Sequence, residues 1–256
     1  LEILSPIRLE GAAPVEDLDA RRATNRILRI VVGIPATVAA LAGAVFNSMG
    51  WDKVTADVTT LTVIFVCFGL LIAAPWWPIR GLRERSRFQK LESTSLIWVI
   101  ITCIPHVTWE MGWMLFHKQI IAAKGEGWAQ PWWTYIEGGD ERYITVDPML
   151  WSIESLASTM GIVGLLSFWR WYRSERTSAG ALYGILFLMA FDFLACYLYY
   201  ASEIFAGFPN VVTTTDLWVK FVVTNSYWLV MPWVVGSWAI RRIKMLHVTQ
   251  ALAARA

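Results

Sequence analysis

The sequence predicts an all-α, polytopic transmembrane helix bundle of about six spans. Three observations predict it. Long apolar runs recur along the 256 residues, 56% of which are hydrophobic and only 16% charged, where a soluble domain carries about a quarter. Mean hydropathy is +0.47. Sixteen tryptophans exceed the needs of core packing; bilayer interfaces concentrate Trp, and an aromatic-lined cavity uses it too. Membrane lipid is therefore an expected partner. A net charge of +2 leaves no footprint for nucleic acid, and none is expected.

The elements follow in order. The first span is expected over Ile27–Phe46, and the polar stretch Asn47-Ser48-Met49-Gly50-Trp51-Asp52 turns the chain outward. The second, Val54–Trp77, ends at Pro75-Trp76-Trp77-Pro78, a helix stop with interface aromatics. The third covers Ser93–Phe116. A hydrophilic connection, Lys118–Asp147, carries Trp128, Trp132, Trp133 and Tyr135. It is a candidate lid or dimer contact, so a homodimer stays open. Asp147 then reads as an N-cap with Pro148 at the first helical position, opening the fourth span at Met149–Trp169. The fifth and sixth are expected over Ser178–Tyr200 and Leu217–Ile240. Each is long enough to cross roughly 30 Å of hydrocarbon.

Charge orients the bundle. Arg21, Arg22, Arg26 and Arg29 precede the first span, and Arg80, Arg83, Arg85, Arg87 and Lys90 lie between the second and third. Arg170, Arg173 and Arg176 follow the fourth; Arg241, Arg242 and Lys244 follow the sixth. Those fifteen face five on the other side, namely Lys53, Lys118, Lys124, Arg142 and Lys220. By the positive-inside rule both termini are cytoplasmic, in the endoplasmic reticulum of a eukaryote or the inner membrane of a bacterium. Residues 1–50 then form an N-terminal segment with an additional helix, 51–245 the main transmembrane domain, and 246–256 a cytoplasmic tail.

Few polar groups lie inside the spans. His106 and Glu110 are four residues apart, on one helix face and close enough to share a proton, and Pro105 before them loosens the backbone. Glu154 lies two turns into the fourth span, Asp192 sits mid-way along the fifth, and Asn225, Tyr227 and Trp228 are in the sixth. Polar pairs that merely glue helices average under about 1 kcal/mol. That reading suits Asn225 or Asp192 alone, and packing suits Trp109, Trp113 and Trp151. An ionisable pair with a further carboxyl group on the next helix costs more than glue returns, so a functional role is expected. Cys67, Cys103 and Cys196 match no zinc or redox spacing and read as small hydrophobes. His106, Glu110 and Glu154 are the natural metal competitor. Their HxxxE spacing is weaker than HExxH, bringing no second histidine and no separate base, and no metal or other cofactor is expected.

This inventory points to proton transfer on an apolar substrate. An apolar setting favours the neutral, proton-carrying form of a carboxylic acid, which can donate while a second group accepts. The π face of Trp228 or Tyr227 can stabilise a carbocation by about 2 kcal/mol when desolvated.

Three segments carry a resemblance: His106-Val107-Thr108-Trp109-Glu110-Met111-Gly112-Trp113, Met149-Leu150-Trp151-Ser152-Ile153-Glu154-Ser155-Leu156, and Asn225-Ser226-Tyr227-Trp228-Leu229-Val230-Met231-Pro232. In order, spacing and apolar setting the chain resembles the emopamil-binding protein family of sterol Δ8–Δ7 isomerases, within the wider EXPERA group that includes the sigma-2 receptor. The resemblance spans roughly residues 90–245. It implies that His106 and Glu110 handle the proton delivered to the 8,9-alkene and that Glu154 takes part in proton movement around ring B. It further implies that Asn225 orients this machinery and that Trp228 lies against the cationic intermediate. Trp109, Trp113, Trp151, Asp192 and Tyr227 are then expected around the substrate, an apolar sterol or other polycyclic terpenoid, in a cavity that also takes cationic amphiphiles. The extra span Ile27–Phe46 and the long Trp-rich loop mark a divergent member. Two alternatives stay open: a terpenoid cyclase using the same acid, and a sterol- or cationic-amphiphile-binding protein without turnover.

Overall fold

The computed structural model describes residues 49–255, other than Trp51 and Arg80; the expected span Ile27–Phe46 lies outside them. Helix α1, Lys53–Ala73, starts where the Asp52 carboxylate accepts the Thr55 N–H at 3.0 Å. It ends in the tight turn Ala74–Trp76, with Pro75 at its start. The Trp76 indole N–H donates to Thr94 at 2.9 Å, and the Thr94 hydroxyl donates to Ile72 O, which pins the end of α1 to the next helix.

Helix α2, Arg87–Pro105, begins with a capping box in which the Ser86 and Gln89 side chains each accept the other's backbone N–H. This satisfies two of the donors that a helix start leaves orphaned. At Pro105 the regular helix stops. Proline brings no N–H and crowds the carbonyl one turn back, and the chain widens to i→i+5 spacing over His106–Glu110 before tightening into α3, Met111–Ala122. Together these pieces form a 36-residue rod from Arg87 to Ala122, broken once at Phe116 (φ −121, ψ 22). The rod therefore outruns the expected end at Phe116. Lys118 and Gln119 face outward while Ile120 is buried, so an amphipathic turn continues what reads as loop.

The connection that follows is folded. It holds helix α4, Gln130–Gly139, with Pro131 in its first turn, then the tight turn Glu141–Tyr143. Helix α5, Pro148–Arg173, has Asp147 as N-cap, its carboxylate accepting Leu150 N–H at 2.8 Å. Helix α6, Ala179–Ala206, is capped by Ser178 and closed by Gly207. Gly207 takes φ +79, a left-handed conformation that glycine adopts freely. A second wide-turn segment, Leu217–Val223, leads into α7, Thr224–Ala253. The expected sixth span is thus divided between that segment and the first half of α7.

Among the described residues, four helical stretches are long and apolar enough to cross a membrane: Thr55–Trp76, Arg87–Ala122, Pro148–Arg173 and Ala179–Ala206. Their outer faces expose Val66, Leu70, Ile162, Leu166, Phe187 and Leu194, as a lipid-facing surface requires. Helices α2, α5, α6 and α7 form the bundle, and α1 lies along α2 and the Leu217–Val223 segment. One half of the core is built on Trp98, Trp171 and Trp238, the other on Trp113, Trp133 and Phe221. Small residues permit the close approach of α5. A Cβ at Gly161 would stand 2.6 Å from His106 Cβ, and one at Gly164 would meet Cys103 Sγ and Leu188.

Candidate functional site

A cavity of about 650 Å³ opens between α1, the first wide-turn segment, α4, α5, α6 and the start of α7. Its apolar side comes from Leu61, Ile64, Phe65 and Phe68 of α1. Its polar side brings together His106, Glu110, Glu154, Asp192, Asn225 and Trp228, all singled out in the sequence.

His106 sits at the centre, buried to 4% exposure. Its Nδ1 is 2.6 Å from Glu110 Oε2, and its Nε2 is 3.1 Å from Asp192 Oδ1. Wide turns are frequent at functional sites, and here one holds both ends of the His106–Glu110 pair. Glu110 keeps 15% of its side chain exposed, so its acid group reaches the cavity while the imidazole behind it is covered. The Thr102 hydroxyl donates to Asp192 Oδ2 at 2.9 Å and accepts the Trp228 indole N–H at 2.8 Å. Trp228 is thereby held with its ring centre 6.5 Å from that of His106, propped by the Trp98 ring at 5.3 Å and Phe65 at 6.4 Å.

The second polar group forms around Glu154, whose Oε1 accepts the Tyr143 hydroxyl. Asn225 donates to Tyr135 Oη at 3.2 Å and to Phe221 O at 2.8 Å, and Tyr135 pairs with the Tyr199 hydroxyl at 2.7 Å. Both Tyr135 and Tyr143 come from the connection after α3. Burial first, then the Glu154 charge, pushes the Tyr143 hydroxyl well above its ordinary range; burial and Asp140 do the same for Tyr135. Each therefore remains a protonated donor at neutral pH.

The cap over this end is tied down twice. Trp109 Nε1 donates to Pro131 O at 2.9 Å, and Trp132 Nε1 donates back to Trp109 O at 2.8 Å. Arg142 forks onto Asp140 at 2.7 Å, meets Glu203 at 3.2 Å and bonds Ser202. Burial works against its charge, but the Asp140 hydrogen bonds and the two carboxylates hold the guanidinium above its ordinary pKa. Lys220, expected among the exterior charges, is buried; it pairs with Asp216 at 3.2 Å and contacts Glu137 O.

Of the five expected pocket residues, Trp109 and Asp192 line the cavity. Trp113 is wholly buried behind it, its N–H on Tyr143 O at 3.2 Å. Trp151 packs on Trp113 and faces a separate small pocket with His117. Tyr227 stacks between Phe65 and Trp98, its hydroxyl on Phe65 O. These three support the wall rather than form it. Sequence reasoning missed Thr102, Tyr135 and Tyr143. Thr102 was findable, since it precedes His106 by the same four residues that separate His106 from Glu110. Among the described residues no three His, Cys, Asp or Glu side chains are grouped to hold a metal ion.

No family model matches the chain. It is similar to a probable 3-beta-hydroxysteroid-Delta(8),Delta(7)-isomerase of Arabidopsis thaliana, 21% identical over 187 residues covering 73% of this chain and 80% of that one. The 3-beta-hydroxysteroid-Delta(8),Delta(7)-isomerase of Rattus norvegicus is 28% identical over 170 residues, 61% of this chain and 65% of its own length. An isomeliandiol synthase of Melia azedarach is 23% identical over 175 residues, 68% and 79% of the two chains. The chain is thus a distant homologue of sterol isomerases, in keeping with a related helical membrane fold.

Proposed function

We propose that this protein is a cofactor-independent double-bond isomerase, moving an alkene from Δ8 to Δ7 in a sterol-like polycyclic lipid. One observation carries the reading: two separately buttressed carboxyl groups, Glu110 on His106 and Glu154 on Tyr143, open onto one apolar cavity beside the Trp228 ring. The names of the Arabidopsis thaliana and Rattus norvegicus relatives agree with it.

On this reading Glu110, in its acid form, gives its proton to C9 of the 8,9-alkene. The O–H bond breaks, the C9–H bond forms, and positive charge develops at C8 against Trp228. Glu154, as carboxylate, takes a proton from C7, and that C–H pair becomes the new C7=C8 bond. One proton enters and one leaves without change of oxidation level, so the chemistry calls for no redox or group carrier. Asn225 acts at one remove, holding Tyr135 across the cap. The charge bias of the loops puts both termini in the cytoplasm.

The test is turnover in deuterated water. Purified protein receives a Δ8-sterol and, in parallel, linear epoxy- and polyprenyl substrates. An unchanged skeleton with one deuterium at C9 and the alkene at C7 supports the isomerase. A cyclised product keeps the acid but replaces the substrate class with that of a terpenoid cyclase. Verified binding of a sterol or cationic amphiphile with no product from any substrate sinks the enzymatic reading.

A further inference from the structure

The ring that backs Glu110 has two nitrogens, and each faces a carboxylate. Nδ1 lies 2.6 Å from Glu110 Oε2, and Nε2 lies 3.1 Å from Asp192 Oδ1. With the transferable proton of Glu110 on Oε1, both facing oxygens are acceptors; a neutral imidazole carries one N–H and can serve only one of them, whereas the imidazolium donates to both. The other neighbour of Nε2 is Thr102 Oγ1 at 3.1 Å. That hydroxyl's single proton is committed to Asp192 Oδ2, and its oxygen already accepts from Trp228. Thr102 therefore has no proton to offer Nε2. Asp192 itself is 3% exposed, and its two oxygens are accounted for by Thr102 and His106.

We propose that Asp192 is a positioning residue for the acid: its carboxylate holds His106 as an imidazolium with a proton on each ring nitrogen, ready to recharge Glu110 after each turnover. Once Glu110 has given its proton to the alkene, the Nδ1–H bond breaks and the Glu110 O–H bond re-forms. The ring is left neutral, with its remaining proton on Nε2 beside Asp192. A proton from water enters at Glu110, which keeps 15% of its side chain exposed, and passes on to Nδ1; water also accepts the proton held by Glu154, so the cycle closes with no net change. The arrangement also orients the cavity aromatic, because the same Thr102 hydroxyl bridges Asp192 and Trp228. The recharging step rests on the isomerase reading; the protonation of the ring does not.

The ring can be read directly. The chain has three histidines, so full-length protein labelled with ¹⁵N-histidine and carrying His117→Gln and His247→Gln reports on His106 alone, without substrate. Both ring nitrogens are expected to carry protons. In Asp192→Asn the Nε2 proton is expected to be lost and turnover to fall by roughly 10²-fold, the scale of a misplaced acid–base group; Asp192→Glu should restore both. A parent ring with one N–H overturns the proposal. So does a doubly protonated ring that survives Asp192→Asn. If that variant does not fold, the parent spectrum still decides. A parent with a doubly protonated ring but no isomerase product sinks the isomerase reading and leaves the ring assignment standing.

Discussion

On the isomerase reading, Glu110 and Trp228 divide the chemistry between an acid that reaches the cavity and a ring beside it. The two can be removed separately. Glu110→Gln keeps the shape and an acceptor for His106 while removing the transferable proton; turnover is expected to fall by at least about 10²-fold with the melting temperature in detergent little changed. Full activity in that variant would end the acid assignment. Trp228→Ala removes the cation face and leaves Thr102 without its donor. Its cost, about 2 kcal/mol, should appear as a roughly 30-fold loss both in turnover and in affinity for a cationic amphiphile. Loss of turnover alone would place the ring elsewhere in the reaction. His106 and Glu110 are legible in the sequence because ionisable groups are costly in an apolar run. Thr102 leaves only the mark of its four-residue spacing to His106, and Tyr143 and Tyr135 leave none, since a phenol in a loop is commonplace until the fold sets one on Glu154 and the other between Tyr199 and Asn225.

At the level of the element, the wide turn His106–Glu110 works because α5 lies flush against it. Gly161 supplies the space. Gly161→Ala gains about 1 kcal/mol of helix propensity, but its methyl group would stand 2.6 Å from His106 Cβ and 3.1 Å from Val107 Cγ1. His106 Cβ is fixed to the backbone and cannot swing away, so overpacking of about 1–3 kcal/mol should prevail. The expected result is a lower melting temperature together with reduced turnover; a variant as stable and active as the parent would show that α5 can retreat without cost. Pro105 hints at this irregularity in the sequence. The matching wide segment Leu217–Val223 has no proline to announce it, and helical periodicity alone reads it as an ordinary start to α7.

For the whole molecule, hydropathy makes the membrane bundle readable, and among the described residues four helices of the expected six are long and apolar enough to cross. The folded cap does not show, because its polar surface imitates a loop while Ile136, Trp133 and Tyr143 are buried beneath it. What ties it down is long-range: Arg142 reaches Glu203 on α6, Trp109 donates to Pro131 O across 22 positions, and Trp132 donates to Trp109 O across 23. Such pairings have no period and leave no mark in a linear reading.

The fastened cap has a consequence for how catalysis is measured. On the isomerase reading, α4 sewn over one end and the apolar wall of α1 make the bilayer the expected route for a lipid substrate. The relevant concentration is then two-dimensional. At fixed total substrate, adding inert phospholipid or detergent should slow the initial rate by surface dilution, and rates should collapse onto one curve when plotted against mole fraction. A rate that follows bulk concentration instead would mean that the cap opens and admits substrate from the aqueous side.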